Sequence, residues 1–188
     1  MNGMAFVILT LGALILLPLI WAIATYNRLV STRQQMKESW SGVDIELKRR
    51  HDLIPNLVST VKGYAAHESD IFEKVASLRA QAMSITDHGG ARAQAEGELA
   101  KTLGRLVGVA ERYPRLKADA NFLELQKELA LTEDRIAAGR RFYNANVREL
   151  NTLSTTFPSN VLAGMFGFTI EEFFELEHVT ERAVPATF

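Results

Sequence analysis

The sequence predicts an all-α protein in which an N-terminal transmembrane helix continues into an antiparallel, up-and-down four-helix bundle with long helices. Residues 1–27 carry no charged side chain, and the next segment repeats apolar residues at alternating spacings of three and four. No stretch alternates apolar and polar residues between hairpin turns, as strands would. We therefore expect a transmembrane anchor over residues 1–27, the bundle over 28–156, and an apolar segment with an acidic tail over 157–188.

The anchor is a 22-residue apolar run from Met4 to Thr25. At about 1.5 Å per residue, such a helix reaches roughly 33 Å, enough for the ~30 Å hydrocarbon core of a bilayer. Trp21 and Tyr26 stand near its C-terminal end, where aromatic side chains favour the headgroup layer. A cleaved signal peptide is the alternative, because Ala22-Ile23-Ala24 has the small residues of a cleavage site. Against it, no Lys or Arg precedes the run, and the run exceeds the usual apolar region of a signal peptide.

Basic residues predict the orientation of this helix. None precedes the apolar run, whereas Arg28, Arg33 and Lys37 follow it. Because positive charges favour the cytosolic side, we expect the N-terminus outside and the helical domain in the cytosol. Residues 28–62 hold seven Lys/Arg against four Asp/Glu, so contact with anionic lipid headgroups is a second interpretation of the same charges.

Composition argues against several classes of function. The formal net charge of −1 leaves no basic footprint for nucleic acid, so no nucleic-acid partner is expected. Without cysteine, the chain has no disulfide, thiol nucleophile or thiolate metal ligand. The expected partners are the lipid bilayer and either another protein or a second copy of the chain.

A heptad-like seam marks the helix that follows the span. The seam predicts a helix that packs against others at a shallow angle and continues from the span without a flexible linker. Pro55 conflicts with it, since proline removes a helical hydrogen bond. The seam keeps its phase across Pro55, which favours one kinked, continuous helix ending near Gly63-Tyr64. The seam residues, of which only two are charged, are Tyr26, Leu29, Arg33, Met36, Trp40, Val43, Leu47, Arg50, Ile54, Leu57, Val61 and Tyr64.

Three more helices are predicted from apolar residues at the same spacing. They run from about Ser69 to Ser84, from Arg92 to Tyr113, and from Ala118 to Ser154. Asp87-His88-Gly89-Gly90 indicates a turn, and Pro114 ends the third helix. Short connections between successive helices favour antiparallel neighbours, as in a bundle.

A polar layer is predicted inside the bundle. Arg50 lies on the apolar seam, and a buried charge must be paired and hydrogen-bonded. We interpret the layer as a network that fixes the register of the helices, and a ligand pocket is the alternative. The residues predicted to form it are Arg50, Asp52, Asn56, Glu68, Glu133, Arg140 and Asn144.

Apolar residues crowd the segment that follows Phe157-Pro158. So much apolar surface covers a core, meets a partner or touches a membrane. Packing over one end of the bundle is one interpretation, and an interaction surface is the other. The residues of the predicted interaction surface are Val161, Leu162, Met165, Phe166, Phe168, Phe173 and Phe174.

The sequence lacks the motifs of common catalytic and metal sites. A di-iron bundle needs two Glu-x-x-His motifs, and Glu175-Leu176-Glu177-His178 is a single match. No Gly-x-Ser-x-Gly elbow and no glycine-rich phosphate loop is present. We therefore expect no metal, no cofactor and no enzymatic activity.

A series of short motifs resembles the LemA family of bacterial membrane proteins. The resemblance covers nearly the whole chain and implies a single N-terminal transmembrane helix, a long up-and-down helical bundle and a place in the bacterial inner membrane. LemA-like relatives of the magnetosome membrane imply a membrane-organising role, and the family implies no set of catalytic residues. The motifs are Leu47-Lys48-Arg49-Arg50-His51-Asp52-Leu53-Ile54-Pro55-Asn56-Leu57, Tyr64, His67-Glu68, Arg79-Ala80-Gln81-Ala82, Arg141-Phe142-Tyr143-Asn144, Phe157-Pro158-Ser159-Asn160 and Gly167-Phe168.

These observations favour a non-catalytic, membrane-anchored scaffold or adaptor that presents a protein-interaction surface at the membrane. A lipid-contacting protein that organises or remodels the membrane is the alternative. A small-ligand binder or an enzyme using the polar layer is the third interpretation.

Overall fold

The computed structural model of the protein describes residues 2–86 and 88–175. Within these residues every regular element is helical, which confirms the predicted all-α class. The elements in chain order are α1 (Asn2–Tyr64), α2 (Ser69–Ser84), α3 (Gly90–Val109), a 3-10 turn (Ala110–Arg112), α4 (Pro114–Lys117), α5 (Ala120–Thr155) and α6 (Ser159–Met165).

Helix α1 runs for 63 residues without interruption, from the apolar N-terminal run to Tyr64. It continues through Pro55, so the prediction of one continuous helix rather than two is confirmed. The apolar run and the seam therefore belong to a single element, with no linker between them.

The N-terminal part of α1 is long and apolar enough to cross a membrane by length and composition. None of its most apolar window is buried against the rest of the described chain. Of the residues predicted to mark the span, Met4 and Trp21 are exposed and Thr25 is half-buried. The hydroxyl of Thr10 donates to the backbone carbonyl of Phe6 at 3.0 Å, so this polar side chain is satisfied within its own helix.

Local chemistry sets the other helix boundaries. Helix α2 spans Ser69–Ser84, as predicted, whereas α3 begins at Gly90, inside the predicted turn. Helix α3 ends at Val109, before the predicted end at Tyr113, and Pro114 begins α4, because its fixed φ suits the first helical position. Asp119 caps α5: its Oδ1 accepts a hydrogen bond from the backbone N–H of Phe122 at 2.9 Å. This bond holds the pKa of Asp119 below its usual range.

The described chain divides into two compact units. Unit 1 comprises residues 2–38 and 144–171, and unit 2 comprises residues 39–86, 88–143 and 172–175. Helices α1 and α5 contribute residues to both units, α6 belongs to unit 1, and α2, α3 and α4 belong to unit 2.

Unit 2 is built around one apolar core to which all five of its helices contribute. Each long helix presents apolar side chains at spacings of three and four, so one stripe is buried and the rest faces solvent. The core residues are Ile54, Leu57, Val61, Ala65, Phe72, Val75, Leu78, Ala82, Ala95, Leu99, Leu103, Leu106, Val109, Ala110, Leu116, Phe122 and Leu129.

Unit 1 is held together by α1, the end of α5 and the chain that follows it. The two helices run antiparallel here: Arg28 bonds the Glu149 carboxylate at 3.0 Å, and Asn146 Nδ2 donates to the carbonyl of Gln35 at 3.3 Å. The buried apolar side chains of this unit are Leu29, Met36, Val147, Leu150, Ala163 and Phe168.

Gly139 lies where α5 packs tightly against α1 in unit 2. A Cβ built at this glycine would lie 3.0 Å from a methyl carbon of Val43, which is 1% exposed. Val43 is β-branched and strongly prefers one rotamer in a helix, so its methyl group has little room to move. Space at the contact, rather than backbone conformation, therefore favours glycine at this position.

We expect Gly139→Ala to lower the free energy of unfolding by about 1 kcal/mol or more, because overpacking outweighs the gain in helix propensity. Gly104→Ala in α3 is the matched control, since nothing lies within 4 Å of the added methyl group. The control should raise stability by roughly 0.5–1 kcal/mol. Urea unfolding of the full-length protein in detergent micelles, followed by Trp40 fluorescence in a Trp21→Phe background, measures both. A change in the free energy of unfolding in the same direction for both variants would contradict the tight contact.

Candidate functional site

A buried ion-pair cluster lies in unit 2, where α1, α3 and α5 meet. Arg50 is 2% exposed, and its guanidinium donates to the carboxylates of Glu96 and Glu133, the latter at 2.8 Å. The guanidinium also donates to the backbone carbonyl of Glu96 at 3.4 Å. The Nε2 atom of His51, a buried residue, lies 3.2 Å from the carboxylate of Glu96. One carboxylate that is almost fully buried thus meets two basic side chains of α1.

The pKa of Glu96 lies below its ordinary value. Burial acts to raise this pKa, because a carboxylate loses hydration when it leaves water. The hydrogen bond with His51 and the positive charge of Arg50 act in the opposite direction and, together, outweigh burial. Glu96 is therefore ionised at neutral pH in the folded protein, and its charge is matched inside the core.

Pro55 leaves a backbone carbonyl free beside this cluster. In an α-helix the carbonyl of residue i accepts from the N–H of residue i+4, and proline has no N–H. The carbonyl of His51 therefore has no helical donor within α1. Arg79 of α2 supplies one, because its Nε donates to that carbonyl at 2.8 Å. The missing helical hydrogen bond is replaced by a bond between α2 and α1.

The side chains of the cluster have bonds within it, and one of them, Glu133, borders a cleft. We describe four surface clefts with volumes of about 300 to 530 Å³. Of the cluster residues, Glu133 is the one that appears in their linings. Glu133 borders the one of about 300 Å³, between α3 and α5. Within the described part of the chain, no group of three His, Asp or Glu residues has the arrangement of a metal site. Of the single Glu-x-x-His match, only Glu175 lies among the described residues.

The other residues of the predicted polar layer lie elsewhere. Asp52 and Asn56 are exposed, because the rotation of α1 that buries Arg50 turns them outward. Glu68 pairs with an arginine of the 3-10 turn at 3.0 Å. Arg140 is half-buried in α5 of unit 2, and Asn144 is half-buried in unit 1. Of the predicted residues, Arg50 and Glu133 bond each other.

Sequence reasoning missed Glu96, the residue that balances Arg50. A signal was present: Glu96 continues the inward stripe of α3 one step toward the N-terminus, three residues before Leu99 and seven before Leu103. A charged residue on an apolar stripe indicates burial with a partner, the same reasoning that singled out Arg50.

The predicted interaction surface divides into buried and exposed side chains. In unit 1, Phe168 is buried, and the guanidinium carbon of Arg33 lies 4.5 Å from the centre of its ring. In unit 2, Phe174 is buried and packs edge-on against Trp40, with 5.1 Å between ring centres. The remaining residues are half-buried (Leu162, Phe173) or exposed (Val161, Met165, Phe166).

We expect Arg79→Met to lower the free energy of unfolding by about 1–3 kcal/mol, because the carbonyl of His51 loses its donor. In a Pro55→Ala background the same substitution should have a smaller effect, since the new backbone N–H at position 55 can bond that carbonyl. A double-mutant cycle from urea unfolding in micelles measures the coupling. Equal effects of Arg79→Met in the two backgrounds would show that the bond does not replace the helical one.

We expect Glu96→Gln to lower the free energy of unfolding at pH 7 by about 3–5 kcal/mol, because Arg50 keeps a buried charge with one fewer partner. The pKa of Glu96 is depressed in the folded state, so its stabilisation is present above the unfolded-state value of ~4.3 and is lost as pH falls through the folded pKa. The difference in free energy of unfolding between the original chain and the variant should therefore shrink below about pH 4.

Urea unfolding between pH 3 and pH 7 measures this difference. Glu98→Gln is the control, because Glu98 is exposed on the same helix and pairs with Lys101 at 3.0 Å. The control should have little effect at pH 7. A pH-independent difference for Glu96→Gln would contradict the assigned ion pair.

Comparison with known proteins points to one family. A model of the LemA family matches residues 39–188. Magnetosome protein MamQ 2 of Paramagnetospirillum magneticum is 29% identical over 175 residues, which cover 80% of this chain and 64% of that protein. Magnetosome protein MamQ of Magnetospirillum gryphiswaldense is 26% identical, with coverage of 79% and 64%. Protein LemA of Metamycoplasma hominis is 24% identical, with coverage of 81% and 71%.

The chain spans 64% of the length of the MamQ proteins it matches. The long apolar N-terminal helix and these relatives together indicate a membrane location. Because the family model covers most of its length and its described residues fold as helices alone, the chain belongs to the LemA family.

Proposed function

We propose that the protein is a membrane-anchored helical scaffold or adaptor, without catalytic activity, that presents a protein-interaction surface at the bacterial membrane. One observation carries the proposal: α1 contains both the apolar run and residues of the apolar core of unit 2, such as Leu57 and Val61. A chain whose span continues as a core helix is suited to holding a folded unit near a bilayer.

The buried cluster supports a structural role for the polar layer. Arg50 bonds both Glu96 and Glu133, so its buried charge already has partners within the protein. We take the cluster to be a device that fixes the register of the helices. The shared core of α1, α2, α3 and α5 supports the antiparallel four-helix bundle as the arrangement of unit 2.

The charges that follow the span support an orientation. Arg28, Arg33 and Lys37 lie within about 18 Å of Thr25 along α1, at 1.5 Å per residue. We propose the inner membrane as the location, with the N-terminus outside and the helical domain in the cytosol.

Proximity labelling in the protein's own cells tests this function, with the labelling enzyme fused after the C-terminus. Three chains are compared: the full-length protein, one in which Met4–Thr25 is replaced by an unrelated apolar helix of equal length, and one that lacks residues 1–25. If the span only places the domain, the first two chains should label the same cytosolic neighbours. The third should lose them, because it no longer resides at the membrane.

Two results would contradict the proposal. The same neighbours around the chain without a span would show that placement at the membrane is not needed. Labelled neighbours from outside the cytosol would overturn the orientation. Trp40 fluorescence of the purified chains, with Trp21→Phe in the full-length protein, checks that unit 2 is folded in each.

A further inference from the structure

Unit 1 contains a long stretch without charge in addition to the span. Residues 150–170 carry no Asp, Glu, Lys or Arg, although these make up 23% of the whole chain. A segment in contact with water has no reason to exclude charge and to expose large apolar side chains at once. Those that this segment exposes most are Phe157 (78%), Met165 (73%), Ile170 (69%), Phe166 (54%) and Val161 (52%).

Part of this stretch contacts α1 at the end of the apolar run. The ring centre of Phe166 lies 4.6 Å from that of Tyr26, and Tyr26 is the first residue after Thr25. The ring of Phe168 lies 6.4 Å from Tyr26 on the same unit. Because tyrosine at the end of a span favours the headgroup layer, Phe166 lies at the level of that layer.

The direction of α5 places the turn that follows it at the same depth as Phe166. In unit 1 this helix runs antiparallel to α1, and Glu149 bonds Arg28. From Glu149 the helix continues for six residues to Thr155, which advances it by about 9 Å toward the apolar run. The turn after α5 therefore lies beside the last turns of the span.

The burial of side chains at the end of the apolar run agrees with this placement of the turn after α5. Ala22 and Thr25 are half-buried, whereas Ile23 and Ala24, between them, are exposed. One face of the last turn of the apolar run is thus covered by protein, and the other is free for lipid.

We propose that residues 155–166, here called the tip, insert into the headgroup and upper acyl layer of the leaflet from which the domain emerges. The occupant of this surface is lipid, because the bilayer crossed by α1 lies at the level of the tip. Insertion takes Phe157, Val161 and Met165 out of water. It moves no ionised side chain into the bilayer, since the tip has none. The proposal goes beyond the scaffold function and does not depend on it.

Depth-dependent fluorescence quenching tests the insertion. The chain has no cysteine, so a single cysteine can carry an environment-sensitive dye without any other substitution. Phe157→Cys and Met165→Cys report on the tip of the full-length protein in nanodiscs that contain lipids with a quencher near the headgroup or deep in the acyl chain. Lys37→Cys is the control, because Lys37 is exposed in unit 1 about 18 Å beyond Thr25 along α1.

Insertion should shift the emission of both tip positions to the blue relative to Lys37→Cys. Quenching by the shallow lipid quencher should be at least threefold stronger at the tip than at the control. Water-like emission at the tip would overturn the proposal. Blue-shifted emission without lipid quenching would also overturn it, because it would place a protein or a second copy of the chain on this surface.

A third labelled position in the tip guards against distortion by the dye. Val161→Cys, on the same face of α6 as Met165, should give the same result, and tryptophan fluorescence should be unchanged in every labelled chain. Quenching at Met165→Cys but not at Val161→Cys would show that the face of α6 does not enter the leaflet.

Discussion

The buried pair of Arg50 and Glu96 constrains how the helices of unit 2 pack. A charge taken out of water is strongly unfavourable unless it meets a partner, which is why we propose that this pair sets the register of α1 and α3. An apolar seam is less selective, since leucine or valine recurs along it and a shifted register still buries apolar surface. Glu133 of α5 pairs with the same guanidinium. Three helices thus meet at one side chain.

His51, the residue after Arg50, connects α2 to α1 and α3. His51 contacts Glu96 through its ring and binds Arg79 of α2 through its carbonyl, which Pro55 leaves without a helical donor. Two neighbouring residues of α1 therefore contact α2, α3 and α5. The motifs on which the family resemblance rests include these residues, so part of that resemblance corresponds to contacts that join helices.

Unit 1 differs from unit 2 in that residues 150–170, which carry no charged side chain, make up much of it. Arg33 shows how a charged residue is accommodated on the seam: its guanidinium covers the ring of the buried Phe168. Asn151 holds the chain after α6 with two hydrogen bonds of 2.9 Å to the backbone of Glu171. Attachment in unit 1 thus comes from the ion pair of Arg28 with Glu149 and from an uncharged polar side chain, Asn151.

The sequence alone determined the all-α class, the length of the apolar run, the continuity of α1 through Pro55 and the limits of α2. Each depends on local periodicity or on a residue with a fixed backbone preference, which neighbouring residues report directly. It also showed that Arg50 needs a partner, since a charge on an apolar seam is visible without a structure. Only the tertiary structure decided that Glu96 is this partner while Asp52 and Asn56 face solvent, and that Phe168 and Phe174 are buried while Met165 and Phe166 are exposed. Periodicity defines which face of a helix is apolar, but the axial register between helices depends on contacts between residues distant in sequence, and those contacts choose the partners.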